Sequence, residues 1–124
     1  MRSRCRITVS NRGRQVSIDA IIDTGNLLCE PFSGLPVIVA EMDALESVLP
    51  EGLENFPEQP ASGIRVIPYC GVGGEGIMPA FRPEKLTAVL PGSRPRSADA
   101  YIGVLRKGRV GKDHHAIVNP DILL

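Results

Sequence analysis

No charge of either sign predominates in this sequence: 14 lysines and arginines balance 14 aspartates and glutamates across 124 residues. That balance leaves no electrostatic footprint for nucleic acid or for an anionic membrane surface. Arginines do gather at Arg2, Arg4, Arg6, Arg12 and Arg14. They read first as the solvated face of an N-terminal hairpin, and second as a docking patch or membrane-proximal edge. No apolar run approaches the roughly 20 residues needed to cross a bilayer. The opening MRSRCRITVS has a basic start but lacks the apolar stretch of a secretory signal, so the chain reads as soluble and intracellular. Cysteine is scarce as well. Cys5, Cys29 and Cys70 have no close pairing and leave an odd one over, which fits reduced thiols better than a disulfide framework. There is no internal repeat and no low-complexity tract. With 43% hydrophobic and 23% charged residues, general disorder is excluded, and the length suits a single domain spanning residues 1–124.

What is abundant is turn chemistry. Thirteen glycines and 11 prolines punctuate the chain too often for long helices. CRITVS (5–10) alternates apolar and polar residues, NRG reads as a turn, and RQVSIDAIID (14–23) alternates before becoming apolar. This is a hairpin whose second strand enters a core. Further strands are expected at LPVIVAE (35–41), IRVIPY (64–69), GIMPAF (76–81), KLTAVL (85–90), AYIGVL (100–105) and AIV (116–118). MDALESVL (42–49) reads as a helix of two turns, and Asn119-Pro120 as the start of a short second one. Residues 50–63, with three prolines, read as a flexible loop; SRPRSAD and RKGRVGKDHH read as polar connectors. Short strands, many turns and one or two short helices predict an all-β barrel or sandwich.

Several motifs compete for the chemistry. Gly71, Gly73 and Gly76 have the spacing of a dinucleotide-binding turn, but that site needs a following helix, and Pro79 and Pro83 stand in its place. A glycine-dense hairpin tip explains them better. His114-His115 beside Asp113 lacks partners at zinc spacing, and adjacent strand side chains point to opposite faces, so a solvated loop is expected and no metal. A thiol nucleophile at Cys29 or Cys70 has no local signature; buried small residues are the simpler reading of all three cysteines.

Asp23 remains. Ala20-Ile21-Ile22 carries a carboxylate to the end of a strand, where Thr24-Gly25-Asn26 turns the chain. Such residues are ordinary in turns. An apolar run followed by Asp-Thr-Gly is also the arrangement of aspartic peptidases. Their carboxylate activates water and protonates a leaving amine, and needs a second carboxylate about 3 Å away sharing one proton. Gly25 permits close backbone approach, and the Thr24 hydroxyl can anchor the loop. One such Asp in this length matches one subunit of a retroviral-type protease, with the second carboxylate coming from a second chain.

The blocks IDTGN-LLCEPFSGLPVIVAE, VIPYCGVGGEGIMPAFRP, AYIGV and AIVNPDIL together resemble the C-terminal peptidase domain of the sporulation sigma-E factor processing peptidases, from Ile18 to Leu123. The resemblance implies a retropepsin-like fold, a closed β-barrel half-site with short helices that forms a two-fold dimer. It implies an aspartic endopeptidase that uses no cofactor and removes the pro-segment of a sigma factor, with Asp23 catalytic and Thr24, Gly25 and Asn26 forming the active-site loop. Gly71, Val72, Gly73, Gly74, Glu75 and Gly76 would form a flap over bound peptide. The resemblance also implies an N-terminal membrane part absent here, a place at the cytoplasmic face of the mother-cell membrane, and a forespore signalling protein as activator. The family's retropepsin relatives carry G-R-[ND] late in the chain, where this sequence has Asn119-Pro120-Asp121. Two other readings compete: a catalytically silent retropepsin-like dimerisation or peptide-binding module, and an ordinary monomeric β-barrel domain in which DTG is only a turn.

Overall fold

The alternation at the N-terminus forms the expected hairpin. In the computed structural model, which describes residues 3–25, 28–59, 61–71 and 74–123, β1 (Arg4–Asn11) pairs antiparallel with β2 (Arg14–Ile22). Arg12 and Gly13, at φ 57° and 74°, make the two-residue turn between them. Positive φ at both central residues gives the turn the twist of the flanking strands. The turn is also anchored. Asn11 donates to the Val48 carbonyl at 2.9 Å, and Arg12 to the Leu49 carbonyl at 2.9 Å.

β3 (Val37–Glu41) leads into a 3₁₀ helix, η1 (Met42–Val48), rather than the expected α-helix. Seven residues are too few to offset helix nucleation. The 3₁₀ form stacks residues three apart, which buries Leu45 and Val48 together. A second 3₁₀ turn, η2 (Leu53–Asn55), follows within the segment expected to be a flexible loop. That expectation is corrected: Leu53 and Phe56 are buried in the main core, so apolar contacts tie the segment down. Then come β4 (Ile64–Gly71), β5 (Gly74–Phe81), β6 (Lys85–Val89), β7 (Arg96–Ser97), β8 (Tyr101–Leu105) and β9 (Ala116–Val118), closed by the 3₁₀ turn η3 (Pro120–Leu123). The two-residue β7 falls inside SRPRSAD, read above as a connector.

All nine strands belong to one sheet in the order β4-β5-β8-β3-β9-β2-β1-β6-β7. The all-β class is as expected; the closed barrel is not found. One terminal strand, β4, carries Pro68, which has no N–H to give, and the other, β7, has two residues. Neither offers a ladder on which to close. The sheet instead curls, so that side chains from β1, β6 and β4 meet in one core with Ile38, Ile102, Leu45 and Val118. A smaller cluster on the other face joins Val37, Ile67, Met78, Ala80 and Tyr101, with Leu28 and Leu35 packed against it. Gly103 makes this cluster fit: a Cβ there would lie 2.6 Å from Met78 Sδ and 2.9 Å from Val37 Cγ1.

None of the three cysteines forms a disulfide. Cys5 is buried, and desolvation pushes its thiol up to about 11. Cys29 and Cys70 are exposed, against the expectation of three buried thiols. Both sit at turns, Cys29 beside the 30–34 bend and Cys70 next to the hairpin tip, where no second layer covers them.

Candidate active site

Ile18, Ala20 and Ile22 of β2 point into the main core, so strand alternation places Ile21 and Asp23 on the opposite face. The end of β2 is held from both sides. Ile22 N–H donates to the Ser3 carbonyl at 2.8 Å, and Asp23 N–H to the Val118 carbonyl of β9 at 3.0 Å. Asp23 therefore stands between the N-terminal segment and the parallel strand that leads to the C-terminus. On its face, Ile21 pairs with Ile117 and Ile117 with Val39; the latter two are half-buried and form an apolar floor.

The turn after Asp23 is closed by the carboxylate itself, since Gly25 N–H donates to Asp23 Oδ1 at 2.9 Å. An Asp side chain that bonds the backbone two residues on mimics a backbone turn. It also aims the carboxylate. A Cβ on Gly25 would lie 3.3 Å from that oxygen, so glycine keeps the approach open. Thr24 and Gly25 are exposed and Asp23 is half-buried; Asn26 lies outside the described residues. Among the described residues no second carboxylate bonds to Asp23.

Asn119-Pro120-Asp121 follows Val118 directly. Asn119 is 3% exposed, and its side-chain oxygen accepts Asp121 N–H at 2.8 Å while its carbonyl accepts Ile122 N–H at 3.2 Å. The segment thus caps η3 as Asn-Pro predicts, and fixes the strand end that holds Asp23.

The glycine-dense segment is a hairpin. β4 and β5 pair antiparallel from Ile64↔Phe81 to Gly71↔Gly74, and β5, not a helix, follows. Val72 and Gly73 lie outside the described residues. The Tyr69 ring covers Gly76, where a Cβ would be 2.8 Å from Tyr69 Oη. Glu75 is exposed. Among the described residues, Gly71, Gly74, Glu75 and Gly76 make no hydrogen bond to Asp23.

Sequence reasoning missed two carboxylates. Glu30 is 1% exposed and accepts Phe32 N–H at 3.0 Å and Ser33 N–H at 2.8 Å. The Phe32 amide is the main reason its pKa is lowered. Burial opposes that shift, while Ser33 and the nearby Arg65 reinforce it. The signal was a Glu heading the Pro-Phe-Ser-Gly turn, since acids accept N–H groups at turn starts. Glu41 ends β3 and holds the 106–115 loop: it accepts Val110 N–H at 2.8 Å and pairs with His115 Nδ1 at 2.9 Å. Burial works to raise the Glu41 pKa; His115, Val110 N–H and the charge of Arg109 outweigh it, and the net shift is downward. The two histidines are half-buried pins, not the solvated loop expected from sequence, with His114 Nε2 3.2 Å from the Val110 carbonyl. They face different partners, and no cluster of three metal-ligating side chains occurs among the described residues. No helix is long and apolar enough to cross a membrane among the described residues.

Known proteins share this sequence pattern. One relative, the sporulation sigma-E factor-processing peptidase of Priestia megaterium, is 26% identical over 124 residues, covering 88% of this chain and 40% of the relative. A second, from Bacillus thuringiensis subsp. kurstaki, is named as a candidate sporulation sigma factor-processing peptidase. It is 24% identical over 134 residues, covering 96% of this chain and 83% of its own length. The chain thus spans about two fifths of the Priestia protein. With the profile of the peptidase family U4, described as sporulation factor SpoIIGA, matching residues 2–122, this chain belongs to that family.

Proposed function

We propose that this chain is the catalytic domain of an aspartic endopeptidase which removes the pro-segment of a sporulation sigma factor, and that Asp23 from two copies makes the active site. The observation that carries the reading is the presentation of Asp23. Its carboxylate is set by its own turn and turned away from the main core, toward the sheet face that carries Val39 and Ile117. The name of the Priestia relative supplies the substrate class.

Chemistry explains why two copies are needed. Two carboxylates about 3 Å apart hold one proton between them, so one takes a proton from the attacking water while the other gives one to the leaving amine. Ser3 bonds beside Asp23, and η3 begins two residues after Val118, which holds Asp23 N–H, so the terminal segments are the surfaces on which the second copy would dock. The β4–β5 hairpin would close over an extended peptide and exclude water. In the longer protein, a membrane-embedded part and a forespore signalling protein would promote pairing by raising the effective concentration of the domain.

A mixing experiment tests the two-copy site. Excess Asp23→Ala chain titrated into active chain should suppress cleavage of a pro-sigma substrate by forming dead heterodimers. Cleavage that tracks the wild-type concentration alone would mean that each chain works by itself.

A further inference from the structure

The 106–115 loop carries four cations within seven positions: Arg106, Lys107, Arg109 and Lys112. Four arginines elsewhere in the molecule are neutralised. Arg4 pairs with Asp113, Arg6 with Asp19, Arg12 with Glu51 and Arg82 with Asp99. Among the described residues Arg106, Lys107 and Lys112 make no ion pair, and the one acid of the loop, Asp113, is already committed to Arg4. Glu41, beside Arg109, is committed to His115 and Val110 N–H.

The loop is also built rather than loose. Glu41 holds its middle through Val110 and its end through His115, whose backbone bonds to Asp19 and Glu41 at 2.9 and 3.0 Å. Arg106 and Lys107 border a crevice of about 310 Å³ whose apolar walls include Ile77, Pro79, Val104 and Leu105. Ile77 is 50% exposed at its mouth. Here β5 parts from β8: it pairs with β8 only through Ala80 and Phe81, so among the described residues no strand pairs with Gly74 to Pro79 on that side.

We propose that this crevice is a docking site for an extended, acidic segment of a protein partner. The segment would lie along the open side of β5, with apolar side chains against Ile77 and Leu105 and carboxylates toward Arg106 and Lys107. Strand addition at an open edge supplies main-chain bonds, and alternate side chains supply specificity. Fixed, unneutralised cations beside an apolar wall favour a partner that carries both features, and complementary charge chiefly sets specificity and on-rate. The site is separate from Asp23. Leu105 pairs with Glu41 at the far end of β3, whereas Asp23 bonds to Val118 beyond the Val39↔Ile117 pair. The inference therefore stands whether or not Asp23 is catalytic.

The test uses the 124-residue chain and a fluorescein-labelled hexapeptide of alternating leucine and glutamate, followed by anisotropy. Saturable binding is expected, weakening with added salt and lost when glutamine replaces glutamate in the peptide. Arg106→Glu with Lys107→Glu should weaken binding about tenfold or more. Both side chains are exposed, so folding should be unaffected. Ile77→Asp should also weaken it, and Arg14→Glu, at the far hairpin turn, should not. Binding that ignores the Arg106 and Lys107 reversals overturns the proposal. So does equal binding of the glutamine peptide, or sedimentation with phosphatidylglycerol vesicles by a chain that fails to bind the peptide.

Discussion

Asp23 and Glu30 lie on one loop, seven positions apart, and the fold treats them in opposite ways. Asp23 is half-buried and, among the described residues, accepts one backbone N–H, that of Gly25 within its turn. Glu30 is buried, accepts two, and has Arg65 of β4 nearby; Arg65 in turn bonds to Tyr101 of β8. Glu30 is set for architecture, whereas the function proposed above assigns Asp23 to reaction. Burial with full hydrogen bonding stabilises a carboxylate as a structural acceptor but removes it from substrate. Asp23, partly exposed, stays within reach of solvent.

Substitution should separate the two. The largest effect expected is on activity at Asp23: Asp23→Asn should lower cleavage on the order of 10²- to 10⁴-fold while thermal unfolding stays unchanged within about 0.5 kcal/mol. An Asp23→Asn protein that cleaves normally would make the turn a mere turn. At Glu30 the pattern should invert. Glu30→Gln places an amide against the Phe32 and Ser33 N–H groups, so the melting temperature should fall by several degrees. Any loss of activity should parallel the unfolded fraction. A Glu30→Gln chain as stable as wild type but inactive would erase the distinction.

Gly103 sharpens the same contrast, because it lies in the cluster that Leu28 and Leu35 help to cover. Gly103→Val would drive a side chain into Met78 and Val37, and overpacking of this kind costs about 1 to 3 kcal/mol. Denaturant unfolding would read it. The smallest effect concerns acid. Both Glu30 and Glu41 have folded-state pKa values below the ordinary carboxylate value. Their contribution is complete above that ordinary value and is lost as pH falls through the lowered ones. Melting temperature measured from neutral pH downward should drop in that acid range, and Glu30→Gln should flatten the drop. A profile unchanged by the substitution would exclude Glu30 from acid unfolding.

What was legible in the sequence was local. The alternation of CRITVS and RQVSIDAII marked β1 and β2, Arg12-Gly13 marked their turn, and Asn119-Pro120 marked the start of η3. Each depends on contacts only a few residues apart, and local dihedral preference carries that information. MDALESVL gave the right place but the wrong helix, because the i, i+3 spacing of Leu45 and Val48 suits the tighter 3₁₀ stacking. The expected barrel failed at its edges: no local pattern states whether Pro68 and a two-residue β7 will close a sheet or end one.

The comparison of Asp23 with Glu41 marks the boundary. By itself the sequence determined the family, eight of the nine strands and the turn at Asp23, since the partners of that turn lie within a few residues. Only the tertiary structure decided that Glu41 would hold Val110 and His115, which lie 69 and 74 positions away. It also decided that Ser3 and Val118 would flank Asp23, and that β5 would leave β8 after two residue pairs. Bonds between distant positions depend on how the strands are ordered in the sheet, and that order is set by which apolar faces share a core rather than by the residues at either end of the bond.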